Sequence, residues 1–523
     1  MIASKSKKKL LIYSISIPTS IAVITGVTVG GYFISSKSNP FLNYAKGPIN
    51  NTIEAFQAVY YSYLINNAHL MVLPGFTLTE SMSVSLLEPK YNDAAFLLVD
   101  DRYGGPATSQ VAGASFRSDQ GSFVTGIAIA MYLNENKDYF LGSDNQLTWG
   151  TYGGMPFNSV LSFMTGVQLG IAWFNTEIAA KNANYEPIYQ ISLGNAERDI
   201  FSGGFGTNDG DYIIERFLLT DIDCLMPVAG PQTLTAINKI LAKNKRTVVI
   251  GVDSPIENDK VVMTKKLPKS NNMPKIDLIA PFSSLKNTGL ITYNILENMA
   301  AGNSYDKTIT NNDIGGLGYQ SLGTIDNDCV GVSDNGKEYF INAMKIAFPN
   351  DNISDYKTAT NKLNYVDLYK KLNTDNYRTF VTFKNDELFD ISKYEQAVKN
   401  VNDFQKYPAL PEAGEVLAKM PDKVPNELTN NFNQEEWDYK KSAPERVKKY
   451  LDPKENKFFQ DEIKVVLSTP SSVLLDASFG QSCYDGIAAF YKKNDVILPF
   501  TNSTQALINA INNENSKKRN IKI

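Results

Sequence analysis

The chain has 523 residues, enough for roughly two to four domains with their own cores, and its three cysteines show neither a metal spacing nor a disulfide framework. The net charge of −4 gives no field that would attract a polyanion, so no nucleic-acid partner is expected. With His69 as the single histidine, the composition argues against histidine-based metal sites and a Ser-His-Asp triad, and we expect no metal and no cofactor.

The N-terminus has the pattern of a membrane segment. Four lysines precede residues 10–34, which carry no charge, and about 20 apolar residues are enough to span a bilayer. Lysines on this flank orient the N-terminal end to the cytoplasm. We therefore predict that residues 1–37 form a basic end and a retained transmembrane helix, with the remaining chain on the extracytoplasmic face. The alternative is a cleaved secretory signal with Gly30 and Gly31 at its small-residue site.

Strand and helix patterns alternate from residue 53 to about residue 300. Residues 53–66 have helical spacing, whereas residues 69–74 and 94–100 are short apolar runs that end in turn residues. Such runs are typical of buried parallel strands, and residues 246–251 form another. The alternation indicates doubly wound α/β lobes.

Residues 334–461 differ from the rest in composition. They are rich in Lys, Asn, Asp, Tyr and Pro, and four prolines between residues 408 and 425 interrupt any long element. This length exceeds that of an ordinary loop, so we predict a connecting or accessory segment. The α/β pattern resumes at residue 463, with an apolar run followed by a helical pattern through Phe490.

Residues 476–486 read DASFGQSCYDG, and they resemble the N-terminal motif of the basic membrane protein family of substrate-binding proteins. Members of that family serve ABC transporters and are nucleoside receptors where characterised. Seven further stretches resemble other segments of the family in its own order: MVLPGF at 71–76, FRSDQGSFVTG at 116–126, GGMPF at 153–157, FSGGFGTNDG at 201–210, CLMPVAG at 224–230, IGVDS at 250–254 and PFSSLK at 281–286.

The resemblance implies an α/β fold with two doubly wound lobes, like the type I periplasmic binding proteins. We predict the first lobe at residues 38–140, with contributions from 283–333 and 462–523, and the second lobe at residues 141–282. The first motif of the family lies near the end of this chain, which predicts a circular permutation. Residues 463–469 should then pair beside residues 70–74 in one sheet.

Two phenylalanines are the central candidates for ligand binding. The resemblance implies that Phe205 and Phe479, one from each lobe, sandwich a nucleoside base, and stacking on an aromatic side chain contributes roughly 1–3 kcal/mol. The alternative is that each is an ordinary loop side chain packed on a neighbour. Gly203 to Gly206 also lacks the spacing of a phosphate-binding loop.

Polar candidates follow predicted strands. Asp253 ends a strand and could accept hydrogen bonds from ribose hydroxyls, or it could cap a helix. Lys286 could donate to the ligand, pair with Asp253, or be a solvated surface lysine. Gly230 allows close approach of backbone to ligand, or forms a simple turn.

The remaining candidates come from the two motifs that precede helices. Asp476, Ser478 and Gln481 belong to the displaced motif, where Asp476 could bind the ligand, cap the helix, or do both. Asp119 and Gln120 open the helix of the motif at 116–126. Gln120 stands where the family often has Glu, which leaves Asp119 as the candidate carboxylate.

These features predict a nucleoside-binding protein of an ABC importer, anchored at the outer face of the cell membrane and partnered by permease and ATPase subunits. Members of the family are usually lipoproteins, but no cysteine precedes Cys224, so the N-terminal helix is the expected anchor. One alternative is a surface adhesin or interaction protein that kept the fold and lost transport function. Another is a nucleoside-cleaving enzyme, although no acid/base constellation supports it; we expect no enzymatic activity.

Overall fold

The computed structural model describes residues 52–363, 464–468, 479–493 and Leu507, apart from gaps at 65–67, 76–77, 87, 92–93, 102–109, 142–145, 192, 194–196, 269–275, 301–313 and 315–319. The predicted membrane anchor and residues 364–461 of the predicted connecting segment lie outside the described residues. Among the helices that are described, none is long and apolar enough to span a bilayer.

The described chain contains short strands that alternate with helices, as the sequence pattern predicts. The strands are β1 Ala68–Pro74, β2 Ala95–Val99, β3 Val111–Phe116, β4 Leu147–Gly153, β5 Ile188–Gln190, β6 Cys224–Val228, β7 Val248–Val249, β8 Gly251–Asp253, β9 Ser283–Lys286, β10 Gln320–Gly323, β11 Val330–Val332 and β12 Lys464–Leu467. The helices are α1 Ile53–Leu64, α2 Thr79–Ser85, α3 Ser118–Glu135, α4 Lys137–Phe140, α5 Asn158–Glu177, α6 Glu197–Ile200, α7 Asp211–Leu219, α8 Gln232–Ala242, α9 Thr288–Ala300, α10 Asp334–Ala347, α11 Tyr356–Thr360 and α12 Phe479–Lys493.

The first sheet is parallel and has helices on both faces. Its strand order is β10-β3-β2-β1-β12. In β2, Leu97 packs into the core that includes α9 and α12, whereas Phe96 and Leu98 pack into the core that includes α1 and α2. Successive side chains of a strand point to opposite faces, so a strand covered on both sides must be apolar throughout. This confirms the predicted α/β fold with a parallel sheet, here covered by helices on both faces.

The displaced segment completes this sheet. Strand β12 pairs in parallel with β1, with Val465 opposite Leu70 and Leu467 opposite Val72. Helix α12 crosses α9 so closely that a methyl group at Gly486 would overlap the carbonyl oxygen of Gly289. The predicted pairing of these strands is therefore confirmed, while circular permutation as its origin stays a prediction.

The second core is built around a parallel sheet of order β5-β4-β6-β7 and a smaller sheet of order β11-β9-β8, in which β8 and β9 are parallel. The predicted strand at 246–251 is thus divided between β7 and β8, which belong to different sheets. Helices α3 and α5 pack together in this core, and a methyl group at Gly126 would overlap the carbonyl oxygen of Val167.

Helix α3 packs in the second core, although the sequence placed the boundary between the lobes at residues 140 and 141. Phe123, Ile127 and Leu133 on α3 are buried with residues of α5 and the second sheet. Helix α10 also lies in this core, although the sequence placed it in the connecting segment. The physical reason is that α3 is apolar nearly all round and needs cover on every side, which its own sheet alone does not supply.

Candidate functional site

Several parallel strands end in residues with left-handed backbone conformation. Asp100 follows β2 with φ 71°, and Asp253 ends β8 with φ 67°. Gly230, shortly after β6, has φ 57°. Residues other than glycine rarely adopt this conformation, although aspartate tolerates it better than most. Ligands of open α/β sheets bind outside the carboxyl ends of strands, so these turns lie where a ligand is expected.

Lys286 lies between two of these carboxylates. Its ammonium group Nζ is 2.8 Å from Oδ2 of Asp100 and 3.2 Å from Oδ1 of Asp253. The Lys286 side chain is 3% exposed, which excludes the solvated surface lysine considered above. The predicted pairing of Lys286 with Asp253 is confirmed, and Asp100 is a second partner that sequence reasoning missed.

The two contacts of Lys286 are not equivalent. The contact with Asp100 is a hydrogen bond. The contact with Asp253 is an ion pair, and the described residues provide no hydrogen-bond partner for the buried Oδ1 atom of Asp253. Oδ1 of Asp253 is itself buried and faces the Lys286 ammonium, so a ligand would have to use the exposed part of the carboxylate. The Asp253 side chain is 19% exposed, against 4% for Asp100, so Asp253 is the more accessible carboxylate.

Burial and charge act on this group in opposite directions. Burial raises the pKa of the Asp100 carboxyl to about 7, although the nearby Lys286 ammonium works against that shift. Burial lowers the pKa of Lys286, but the two carboxylates raise it by more, so it ends above its ordinary value. Two carboxylates and one ammonium carry a net negative charge when all are ionised, and burial favours uptake of a further proton.

Phe205 is half-buried in a loop that hydrogen bonds hold on both sides. Its ring stacks on Phe157 with centroids 6.1 Å apart and an interplanar angle of 11°. Gln232 Nε2 donates to the carbonyl oxygen of Gly204 at 2.9 Å, and the backbone N–H of Gly206 donates to Asp209 Oδ2 at 2.7 Å. The packed-neighbour alternative for Phe205 therefore holds for its contact with Phe157.

Asp119 and Gln120 lie where the chain passes between the two cores. Asp119 is buried and forms a two-pronged ion pair with Arg117, with distances of 2.9 and 2.8 Å. The Oε1 atom of Gln120 accepts a hydrogen bond from the backbone N–H of Ile325 at 3.2 Å. The backbone N–H of Arg117 donates to the carbonyl oxygen of Gly323 at 2.8 Å. Gln120 is thus bonded to the segment that follows β10. Asp119 is bonded to Arg117, which contacts the end of β10.

Part of the displaced motif lies outside the described residues. This applies to Asp476 and Ser478, and to the side chain of Phe479, whose backbone begins α12. Gln481 is half-buried on the first turn of α12. The proposed sandwich of Phe205 and Phe479 therefore stays a prediction.

Sequence reasoning missed Asp100, Phe157 and Gln232. Asp100 had the signal that identified Asp253, namely a carboxylate directly after an apolar strand. Phe157 had no signal, because its stacking on Phe205 joins loops 48 positions apart along the chain. Gln232 had no signal in the sequence either. A glutamine on the first turn of a helix is ordinarily exposed, whereas this one is fully buried.

Residues 50–187 match the family model of PnrA-like substrate-binding proteins of ABC transporters, the Bmp family. This stretch matches the family that the motifs predict. Lys286 and Asp253 lie beyond the matched stretch.

The chain is also similar to lipoproteins of two mycoplasmas. It is 31% identical over 285 residues to an uncharacterized lipoprotein of Mycoplasma genitalium, covering 45% of this chain and 46% of that protein. It is 31% identical over 287 residues to the homologous lipoprotein of Mycoplasma pneumoniae, covering 45% of this chain and 42% of that protein. The matched stretches span about half the length of these relatives.

Two solved structures show a remote likeness. A solute-binding protein of an ABC transporter system from Aeropyrum pernix is 15% identical, with a TM-score of 0.40, covering 71% of this chain and 88% of that one. A solute-binding protein from Clostridium phytofermentans with bound β-D-glucose is 12% identical, with a TM-score of 0.35, covering 59% of this chain and 88% of that one.

Proposed function

We propose that this protein is the extracytoplasmic substrate-binding protein of an ABC importer and that it binds nucleosides between its two lobes. The observation that carries the proposal is the buried Lys286 beside the accessible Asp253 at the carboxyl ends of neighbouring strands. A donor next to a partly exposed carboxylate suits two adjacent hydroxyls of a sugar, and charge-assisted hydrogen bonds are about twice as strong as neutral ones.

Phe205 supports a base as the second half of the ligand. Its loop is held in place, so little conformational entropy would be lost when a base stacks on the ring. Phe479 would cover the other face of the base from the first lobe. Closure of the lobes over the ligand would shift the population toward the form that the permease and ATPase subunits recognise. No covalent step is part of this proposal.

A thermal-shift screen with purine nucleosides, pyrimidine nucleosides, free bases and free sugars tests the proposal. A ligand at about 100 times its dissociation constant should stabilise the fold by roughly 2.7 kcal/mol. If only free sugars stabilise the protein, the proposal that it binds a solute stands and the proposal that the solute is a nucleoside is wrong. If no compound raises the unfolding temperature, the result favours the alternative hypothesis of a surface adhesin or interaction protein.

Calorimetry on three variants then assigns the roles. Phe205→Ala should weaken nucleoside binding by roughly 1–3 kcal/mol, about 5- to 150-fold, because it removes the stacking surface. Phe205→Tyr keeps the ring and is the matched control, so it should bind within about twofold of the parent. Asp253→Asn should weaken ribosides more than free bases, since its proposed partner is the sugar. Equal losses for both classes would contradict that role.

A further inference from the structure

Three observations single out Asp100, which neither the family motifs nor the proposed ligand contacts include. It joins the first sheet to the smaller sheet of β8, β9 and β11 across 186 positions of sequence, through its hydrogen bond to Lys286. Its backbone is held at φ 71°, a conformation that costs free energy and persists only where the surroundings enforce it. Its side chain is almost fully buried, so the carboxylate is directed at Lys286 rather than at solvent.

We propose that Asp100 is a positioning residue that holds the Lys286 ammonium away from full pairing with Asp253, so that the Asp253 carboxylate stays available to the ligand. The inference rests on the proposed function, because it concerns the same site. The distances carry it: Lys286 Nζ lies closer to Asp100, at 2.8 Å, than to Asp253, at 3.2 Å. Without Asp100, the only described carboxylate left beside the buried ammonium would be Asp253.

Protonation of Asp100 should have the same effect as its removal. Among the residues that the structure describes, the charged and titratable groups that face it are Lys286 on β9, Asp253 on β8, the adjacent Asp101, and Cys483 on α12. Burial places the pKa of Asp100 at about 7, so its charge changes near neutral pH. Ligand affinity should therefore fall as the pH is lowered through neutrality, because a protonated Asp100 releases the ammonium to Asp253.

The test compares the full chain with Asp100→Asn, in which an amide of the same shape also tolerates the left-handed backbone. Binding of inosine is measured by calorimetry between about pH 6 and pH 8.5. At the upper end the variant should bind about tenfold more weakly than the parent, and at the lower end the two should converge. The control is Asp221→Asn, which changes the same charge at another left-handed aspartate, on the surface with 81% side-chain exposure.

An equal affinity of the parent and Asp100→Asn at high pH, or a constant ratio across the pH range, would overturn the inference. Asp100→Glu is the second variant, for the case that the Asp100→Asn protein does not fold. It keeps the carboxylate charge, so its inosine affinity should still depend on pH.

If the parent binds neither inosine nor another nucleoside, the proposed function fails. The inference is then tested without ligand, by a double-mutant cycle of unfolding with Asp100→Asn and Lys286→Gln. The coupling should change the unfolding equilibrium by at least about tenfold, and its absence would overturn the inference independently.

Discussion

At the scale of single residues, the unusual feature is the number of polar groups that are buried at the ends of strands. Asp100, Asp253 and Lys286 neutralise part of one another's charge. Glu257 is another buried carboxyl, and its Oε2 atom accepts a hydrogen bond from Ser283 Oγ at 2.6 Å. A buried charge is costly unless it is paired, so Asp100 and Glu257, whose pKa values burial raises, should make stability depend on pH.

Glu257→Gln should change that dependence in a defined direction. Burial raises the pKa of Glu257 above its ordinary value of 4.5, against the effect of hydrogen bonds from Ser283 and Ser333. A raised pKa in the folded state means that stability is lost as the pH rises from about 4.5 through the folded value. The variant keeps an acceptor oxygen for Ser283 but cannot titrate. Urea unfolding over a pH series should therefore show a smaller loss of stability in the variant as the pH rises.

Glu215→Gln is the control for this experiment. Hydrogen bonds from Lys243 and Lys239 hold the pKa of this exposed glutamate below its ordinary value. Its contribution is present at neutral pH and lost as the pH falls, so this variant should alter the slope in the opposite sense. If both variants change the slope alike, local titration does not explain the effect at Glu257.

At the scale of secondary-structure elements, two helix pairs cross with almost no side chain between them. In the first sheet's core, α9 and α12 meet at Gly289 and Gly486. In the second core, α3 and α5 meet at Gly126 and Gly170, where a methyl group would overlap backbone atoms of the facing helix. Gly126 and Gly486 belong to motifs that resemble the family, and in this structure their role is close packing of helices.

Gly486→Leu should separate the displaced helix from α9. The added side chain would meet the backbone of Gly289, which cannot rotate away, and overpacking of this kind costs roughly 1–3 kcal/mol. Urea denaturation should show the loss as a lower midpoint. Lys492→Leu adds the same side chain at an exposed position of the same helix and should change stability by less than about 0.5 kcal/mol. Equal effects of the two would contradict close packing at Gly486.

At the scale of the whole molecule, the chain order and the spatial order disagree. Strand β12 lies beside β1, although almost 400 positions separate them in the sequence. The edge of the first sheet is therefore completed only after the rest of the chain has been made. Because domain termini often lie close together, rejoining them elsewhere is physically inexpensive.

A rearranged chain tests whether this connection is needed. Residues 462–511 would be placed before residue 52, and the chain would end at residue 363. We expect cooperative urea unfolding and the same nucleoside affinity as the parent, because β12 and α12 could occupy the same places. The control lacks residues 462–523, which removes the buried Leu467, Ile487 and Phe490 from the core. It should fail to unfold cooperatively; identical behaviour of both chains would contradict the restored order.

The predicted anchor also belongs to this scale. We expect the mature protein to retain residues 10–34 and to fractionate with membranes, because an uncharged run of this length follows a basic end. N-terminal sequencing of the purified protein decides the matter. A mature sequence that starts near Tyr32 would show a cleaved signal instead.

The alternating pattern of the sequence predicts the layered α/β architecture, and the resemblance to the family predicts the pairing of the displaced strand with β1. Apolar runs such as 95–99 identify strands that are covered on both faces, because every side chain of such a strand must be buried. The order of the family-like segments then placed residues 463–469 beside residues 70–74. The first inference rests on local pattern, whereas the second rests on what the resemblance to the family implies about the order of the segments.

The surroundings of Lys286 could not be predicted from the sequence, because they form only when the chain folds. Its partners Asp100 and Asp253 come from different sheets, and their approach depends on how the two cores meet. The stacking of Phe157 on Phe205 and the burial of α3 in the second core are of the same kind. Each depends on contacts between segments far apart in the chain. No local propensity encodes such contacts, because their free energy comes from desolvation and packing that exist only after folding.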